Sequence, residues 1–246
     1  MNLTILRYDS VDSTNTAAAE QARLGAGEGL CIIAGEQTAG RGRHGRTWVS
    51  PPGSGLYLSI VLRPRIEPRY LPLITLMSGV AVCDTLVGLG LKPDIKWVND
   101  ILVNERKISG ILAETVETNI GLAVVVGIGI NLTGSNFPEE ISELATSIEQ
   151  ETLVKADAGE LASALTRYLA YFYEILNNRS GPSEIIGHWR QRSSYFSGKS
   201  VRVTISDGGF TGVTDGLEDN GALRVKTLDG SVKIVQAGDI ERLRTA

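Results

Sequence analysis

Cysteine and histidine are both scarce in this chain of 246 residues, with two of each. Cys31 and Cys83 lie in the apolar runs LCIIAG and GVAVCDTL, no CxxC pair exists, and His44 and His188 stand far apart. A structural zinc site is therefore not expected, and two buried thiols in a reducing compartment are. A long hydrophobic run is also missing. The most apolar stretch, IGLAVVVGIGI at 120–130, is too short and too rich in glycine to span a bilayer. The opening MNLTILRYDS breaks its short apolar run at Arg7, which excludes a signal peptide. The expected location is the cytoplasm, with no membrane partner. Nor is there a basic excess. Lys and Arg number 24 against 28 Asp and Glu, a net charge of −4, which argues against a general nucleic-acid surface.

What is present is an ordinary globular composition, 42% hydrophobic and 21% charged, enough for one large domain or one domain plus a small one. Strands are expected at 3–8, 30–37, 56–63, 94–98, 101–103, 108–116 and 122–130. A helix follows the first strand, with Ser13 or Asn15 as its N-cap and Gly25 as its stop. The run 70–90 is long enough for a buried helix, and 158–176 and 183–192 carry helical periodicity. From Ser197 the texture changes to short β-branched runs separated by DGG, DNG and DG turns, which predicts a small barrel of about five strands. The domains expected are thus 1–196 and 197–246.

One segment departs from the acidic average. GRGRHGRTW at 40–48 gathers three arginines, a histidine and three glycines, and ends on Trp48. Its glycines permit positive φ and close approach of backbone to a ligand. Arg41, Arg43 and Arg46 offer forked donors for carboxylate or phosphate oxygens, and Trp48 a flat face for a base. A small anionic ligand fits this confined charge better than a long polyanion. Other signals are weaker singly: DSTN (12–15) at a helix start, KWVND (96–100) at a strand end, KISGILAE (107–114) with Lys107 and Gly110, and GIGIN (127–131) ending on Asn131. Each could equally be a cap, a turn or a close-packed strand.

Taken together, in this order and followed by a small barrel, these motifs resemble the biotin protein ligases over nearly the whole chain. The GRGRxGRxW segment and KxxGILxE are the most specific elements; ATSI at 145–148 and GHWRQRSSYFSGKSVRV at 187–203 match further segments. Val98 departs from the pattern, standing where many members carry proline. The resemblance implies an α+β fold: a catalytic domain of the class II synthetase type, with a mixed, mainly antiparallel sheet flanked by helices, and a C-terminal SH3-like barrel. It implies an ATP-dependent ligase that makes biotinyl-5′-AMP and then biotinylates a lysine of a biotin carboxyl carrier domain. A lipoate or octanoate ligase of related fold is the alternative.

By the same resemblance, Ser13, Thr14, Asn15, Gln37, Arg41, Gly42, Arg43, Lys107 and Gly110 match biotin-binding positions. Arg43, Arg46, Trp48, Asn99, Lys107 and Asn131 match nucleotide contacts. Arg43 and Lys107 are the expected catalytic cations, since a carboxylate and an α-phosphate must meet in the first step. The biotin carboxylate is already ionised at neutral pH, so that step needs no general base. Mg²⁺ is expected with ATP, held mostly by phosphate and water. Asp100 is a candidate for orienting the acceptor lysine or for touching the ion. Some family members carry an N-terminal helix-turn-helix; here DSTN begins at residue 12, and no nucleic-acid partner is expected. A homodimer through exposed strand edges is left open.

Overall fold

The computed structural model describes residues 1–134, 137–205 and 208–242. Its centre is a seven-stranded sheet in the order β1-β2-β3-β7-β6-β5-β4. The strands are β1 (Thr4–Val11), β2 (Leu30–Gln37), β3 (Gly55–Leu62), β4 (Asp94–Lys96), β5 (Asp100–Val103), β6 (Arg106–Thr118) and β7 (Gly121–Asn131). Only β1 and β2 pair in parallel; every other neighbour is antiparallel. The parallel pair needs a crossover, supplied by α1 (Thr14–Arg23). The mixed, mainly antiparallel sheet is the one expected.

The two faces of this sheet are covered unequally. On one face lies the main core, where Leu56, Leu58, Ile60, Ile111, Ile128 and Ile130 meet α2 (Leu73–Val87) and α4 (Ala158–Leu176). Helix α2 is buried nearly all round, with only Thr75, Asp84 and Val87 reaching solvent. Helix α4 is amphipathic instead, burying Leu161, Leu165, Leu169, Phe172 and Leu176 at helical spacing. Asp157 caps it by accepting from the Glu160 amide at 2.8 Å. On the other face α1 covers only one end. Its Ala18 and Ala22 are small enough to sit close on Ile32, Val61 and Val125. The remainder of that face, toward Gly129 and Asn131 of β7 and Gly110 of β6, is left uncovered by helix.

Boundaries moved little from expectation. Ser13 is the N-cap residue of α1, while Asn15 lies inside the helix. The expected Ser13 cap position is therefore borne out, although among the described residues its hydroxyl makes no capping hydrogen bond. Helix α5 (Gly181–Gln191) begins earlier than predicted, since Pro182 is favourable in a first turn. A short helix, α3 (Ile148–Thr152), went unpredicted; at five residues it has too little periodicity to read. The Trp97–Val98 peptide is cis.

Past residue 196 the chain forms a separate five-stranded antiparallel sheet. It comprises β8 (Ser197–Ile205), β9 (Gly208–Leu217), β10 (Leu223–Lys226), β11 (Val232–Val235) and β12 (Asp239–Arg242), in the order β11-β10-β9-β8-β12. The Asn220–Gly221 and Asp229–Gly230 turns appear where expected, each glycine at φ +85°. The DGG turn begins in 206–207, and the chain ends in 243–246, both outside the described residues. Trp97 joins this sheet to the main body: its Nε1 donates to the Gly221 carbonyl at 3.0 Å.

Candidate functional site

The uncovered face of the large sheet carries a cavity of about 550 Å³. Glycines make its floor. Gly110 of β6 stands opposite Gly129 of β7, and a Cβ on Gly129 would lie 2.4 Å from the Trp48 indole. One on Gly110 would lie 2.9 Å from the same ring, and one on Gly127 only 2.1 Å from the Asn15 amide oxygen. The glycines of GIGIN therefore admit Trp48 and Asn15 to the sheet surface. Among the described residues the buried Trp48 Nε1 has no hydrogen-bond partner, an unpaired donor of the kind that ligand sites retain.

Residues 40–48 form a tight hairpin over this floor. Gly42 donates to the Arg46 carbonyl at 2.7 Å, Trp48 to Gly40 at 2.9 Å, and Arg41 bridges Thr47. His44 and Gly45 turn the tip with φ of 55° and 72°. Gly40 must lack a side chain, because a Cβ there would be 2.3 Å from the Trp48 carbonyl oxygen. The cations it carries each meet an oxygen. Arg41 makes a two-pronged pair with Glu114, at 3.1 and 2.8 Å. Arg43 donates to Asn99 Oδ1 at 3.2 Å and to the Gly238 carbonyl at 3.3 Å, with Asp239 3.7 Å away. Burial lowers the Arg43 guanidinium from its ordinary pKa, and the charges of Asp239 and Asp100 oppose that shift. Arg46, largely exposed, pairs with Asp239.

Lys107 reaches the cavity from β6, its Nζ 2.6 Å from Asp100 and 5.4 Å from the centre of the Trp48 ring. Its backbone is clamped by residues 144–146, at the start of the ATSI segment: its amide donates to the Leu144 carbonyl at 2.8 Å and its carbonyl accepts from the Thr146 amide at 2.9 Å. Asn131 Nδ2 donates to the Thr146 carbonyl at 2.9 Å. Asn99 Nδ2 donates to the Ile111 carbonyl at 2.9 Å.

The far end of the cavity is polar and buried. The Thr14 amide and hydroxyl both donate to Gln37 Oε1, at 2.8 and 3.1 Å, and Gln37 Nε2 donates to Ser50 at 2.9 Å. Ser59 reaches Thr14 Oγ1 at 2.7 Å and Asn15 Oδ1 at 2.6 Å. Asn15 Nδ2 donates to Glu114 Oε2 at 2.7 Å.

Every residue singled out from the sequence lines this one cavity: Ser13, Thr14, Asn15, Gln37, Arg41, Gly42, Arg43, Arg46, Trp48, Asn99, Asp100, Lys107, Gly110 and Asn131. The sequence reading missed others. Asp239, Glu241 and Arg242 reach it from β12, and Glu105 from the β5–β6 turn. Arg242 and Glu105 form an ion pair across its mouth. Glu114 stood in a quoted motif and was given no task. The β12 residues carried no signal, being single charges in a run without motif or periodicity.

Residues 8–131, half of the chain, match the model of the biotin/lipoate A/B protein ligase family. The chain belongs to that family. Residues 196–243 match the biotin protein ligase C-terminal domain, which places it on the biotin side of the biotin/lipoate division. It is 36% identical to the bifunctional ligase/repressor BirA of Bacillus spizizenii over 242 residues, covering 96% of this chain and 73% of that protein. It is 34% identical to the biotin–[acetyl-CoA-carboxylase] ligase of Mycobacterium tuberculosis, covering 94% and 86%. Among solved structures it resembles the biotin protein ligase of Aquifex aeolicus in complex with biotin and ATP, with TM-score 0.85, 29% identity, and 98% and 99% of the two chains covered.

Proposed function

We propose that this member of the ligase family activates biotin with ATP and transfers the biotinyl group to a lysine of a biotin carboxyl carrier domain. The observation that carries this is the convergence of Arg41, Arg43, Arg46 and Lys107 on one glycine-floored cavity with a buried hydrogen-bonding end. In the first step a carboxylate oxygen attacks the α-phosphorus of ATP and diphosphate leaves. Two anions must approach, and fixed cations stabilise the charge that builds between them. Arg43 and Lys107 take that task. Arg43 is aimed by Asn99 and Gly238, and Lys107 by Asp100 and the 144–146 clamp.

Biotin lies with its ureido ring at the Thr14–Gln37 end, where buried donors and acceptors avoid the cost of an unpaired polar group. Ser13 and Asn15 complete that end, Arg41 and Gly42 lie over biotin, and Gly110, beneath Trp48 and beside Lys107, faces its carboxylate. The nucleotide takes the Trp48, Arg46, Asn99 and Asn131 end. In the second step the acceptor amine attacks the acyl carbonyl, loses a proton, and expels AMP. Asp100, the carboxylate nearest Lys107, orients that amine.

Mg²⁺ accompanies ATP as its ion. Among the described residues no group of three or more His, Cys, Asp or Glu side chains is placed to hold a metal. The residues present fit an ion held by phosphate and water with one or two carboxylates at most. No helix among the described residues is long and apolar enough to cross a membrane, which is compatible with the cytoplasmic location we assign. We assign residues 1–196 to the catalytic domain and 197–246 to the C-terminal one. The outer strand β1 is exposed except at Val11, which supports pairing of two copies through a strand edge.

The test is to mix the protein with Mg·ATP, a carrier domain and biotin, lipoate or octanoate in turn. Mass spectrometry should find one biotinyl group added to the carrier, and nothing added from the other two acids. Acylation by lipoate or octanoate in preference to biotin would overturn the reading.

A further inference from the structure

Asp239 belongs to no sequence motif, and the chemistry above leaves it without a task. It is the first residue of β12, paired in register with Thr204 of β8. The preceding Gly238 packs so closely that a Cβ there would sit 2.7 Å from the Thr204 carbonyl oxygen. The Asp239 carboxylate is thus mounted on a sheet rather than on a loop. It faces two guanidinium groups nearly two hundred positions away in sequence: it pairs with Arg46 and stands 3.7 Å from Arg43, whose Nη1 also meets the Gly238 carbonyl. Among the described residues no other carboxylate lies within ion-pair reach of either arginine.

The two contacts are unequal, and the inequality matters. Arg46, with 68% of its side chain exposed, is tied directly to Asp239. Arg43, with 20% exposed, is oriented mainly by neutral oxygens of Asn99 and Gly238. The rim arginine is fastened, while the inner one keeps much of its charge for an anion in the cavity.

We propose that Asp239 is a positioning residue that fastens the arginine hairpin 40–48 to the C-terminal sheet through Arg46, and so slows escape of the bound acyl-adenylate. The last clause rests on the ligase reading; the fastening does not. A hairpin tied at its rim must break that tie before it swings away, so the tie acts on release rather than on the bond-making step.

The test uses the full chain as wild type, Asp239→Asn, Asp239→Glu, Arg46→Gln and the Asp239→Asn/Arg46→Gln double variant. Tryptic cleavage after Arg41 and Arg43, without substrates, reads the fastening alone. Either single variant should be cleaved about fivefold faster, the scale of a partly exposed ion pair. The double variant should be no faster than the singles, and Asp239→Glu should return toward wild type. Release of preformed biotinyl-adenylate should accelerate in the same order, by more than the single-turnover adenylation rate changes. Wild-type cleavage rates in Asp239→Asn, or single effects that add in the double variant, would overturn the proposal. If Asp239→Asn lowers the thermal midpoint by loosening the C-terminal sheet, Arg46→Gln decides alone, and its unchanged cleavage overturns the proposal. A chain that forms no adenylate at all refutes the ligase reading and leaves the cleavage result standing.

Discussion

The three guanidinium groups of the 40–48 hairpin and the Lys107 ammonium reach the cavity, and each meets a carboxylate: Arg41 with Glu114, Arg43 and Arg46 with Asp239, Lys107 with Asp100. Such pairing holds long, rotamer-rich side chains in place at little cost in charge, since the pairs are partly exposed and individually weak. Lys107 is the most constrained of the four, held by Asp100 at its tip and by residues 144 and 146 along its backbone. Lys107→Ala should therefore leave the fold intact and slow adenylate formation by about a hundredfold, the size of losing one preorganised charge donor. Single-turnover formation of biotinyl-AMP, beside an unchanged far-UV spectrum, checks it; wild-type turnover would remove Lys107 from the mechanism. The cysteines are inert by contrast. Burial pushes the Cys31 and Cys83 thiols up to about 12, so iodoacetamide at pH 8 should modify neither until the chain is unfolded, as intact-mass measurement would show.

At the scale of elements, the site depends on irregularities in two strands. In a regular strand Lys107 and Gly110, three apart, would face opposite sides. The β5–β6 register instead shifts between Ile101 and Leu102, where Ile101 pairs with Ser109 but Leu102 with Lys107. This bulge turns the Lys107 side chain onto the Gly110 side, its Nζ 3.2 Å from where a Gly110 Cβ would stand. KISGILAE showed that a lysine and a glycine belonged together; it did not show the bulge, because a single extra residue leaves no periodic trace. The glycines of GIGIN were legible as close approach, but the approaching groups, Trp48 and Asn15, come from distant segments. Gly129→Ala would set a methyl 2.4 Å from the Trp48 indole, so the ring must move. We expect ATP KM to rise about tenfold, with a loss of about 1–3 kcal/mol in stability from overpacking. Initial-rate kinetics and urea unfolding measure the two, and an unchanged ATP KM would show that the Trp48 position is immaterial to the nucleotide.

At the scale of the molecule, the C-terminal sheet is joined to the rest by contacts of different kinds. Hydrophobic periodicity and turn residues revealed that sheet and its five strands, since those signals are local. They could not reveal its docking, because Asp239, Arg242 and Gly221 acquire meaning only from partners more than a hundred positions away. Two of the contacts are partly exposed ion pairs at the mouth of the cavity, Asp239 with Arg46 and Arg242 with Glu105. Another is buried: the Trp97 indole donates to Gly221, whose turn fits so tightly on α2 that a Cβ would lie 2.8 Å from Leu76 and 2.9 Å from Leu73. Exposed ion pairs add little to stability, whereas a buried acceptor left unpaired costs about 1–3 kcal/mol. Stability of the docking should then reside in Trp97 and retention of the intermediate in Asp239. Trp97→Phe keeps an aromatic ring and removes the donor, so it should lower the unfolding free energy by about 1–3 kcal/mol. It should leave tryptic cleavage of the hairpin near the wild-type rate, whereas Asp239→Asn should do the reverse. Urea denaturation beside limited proteolysis on the two variants separates these effects, and a Trp97→Phe chain with wild-type stability would mean that the sheet is held by its rim charges instead.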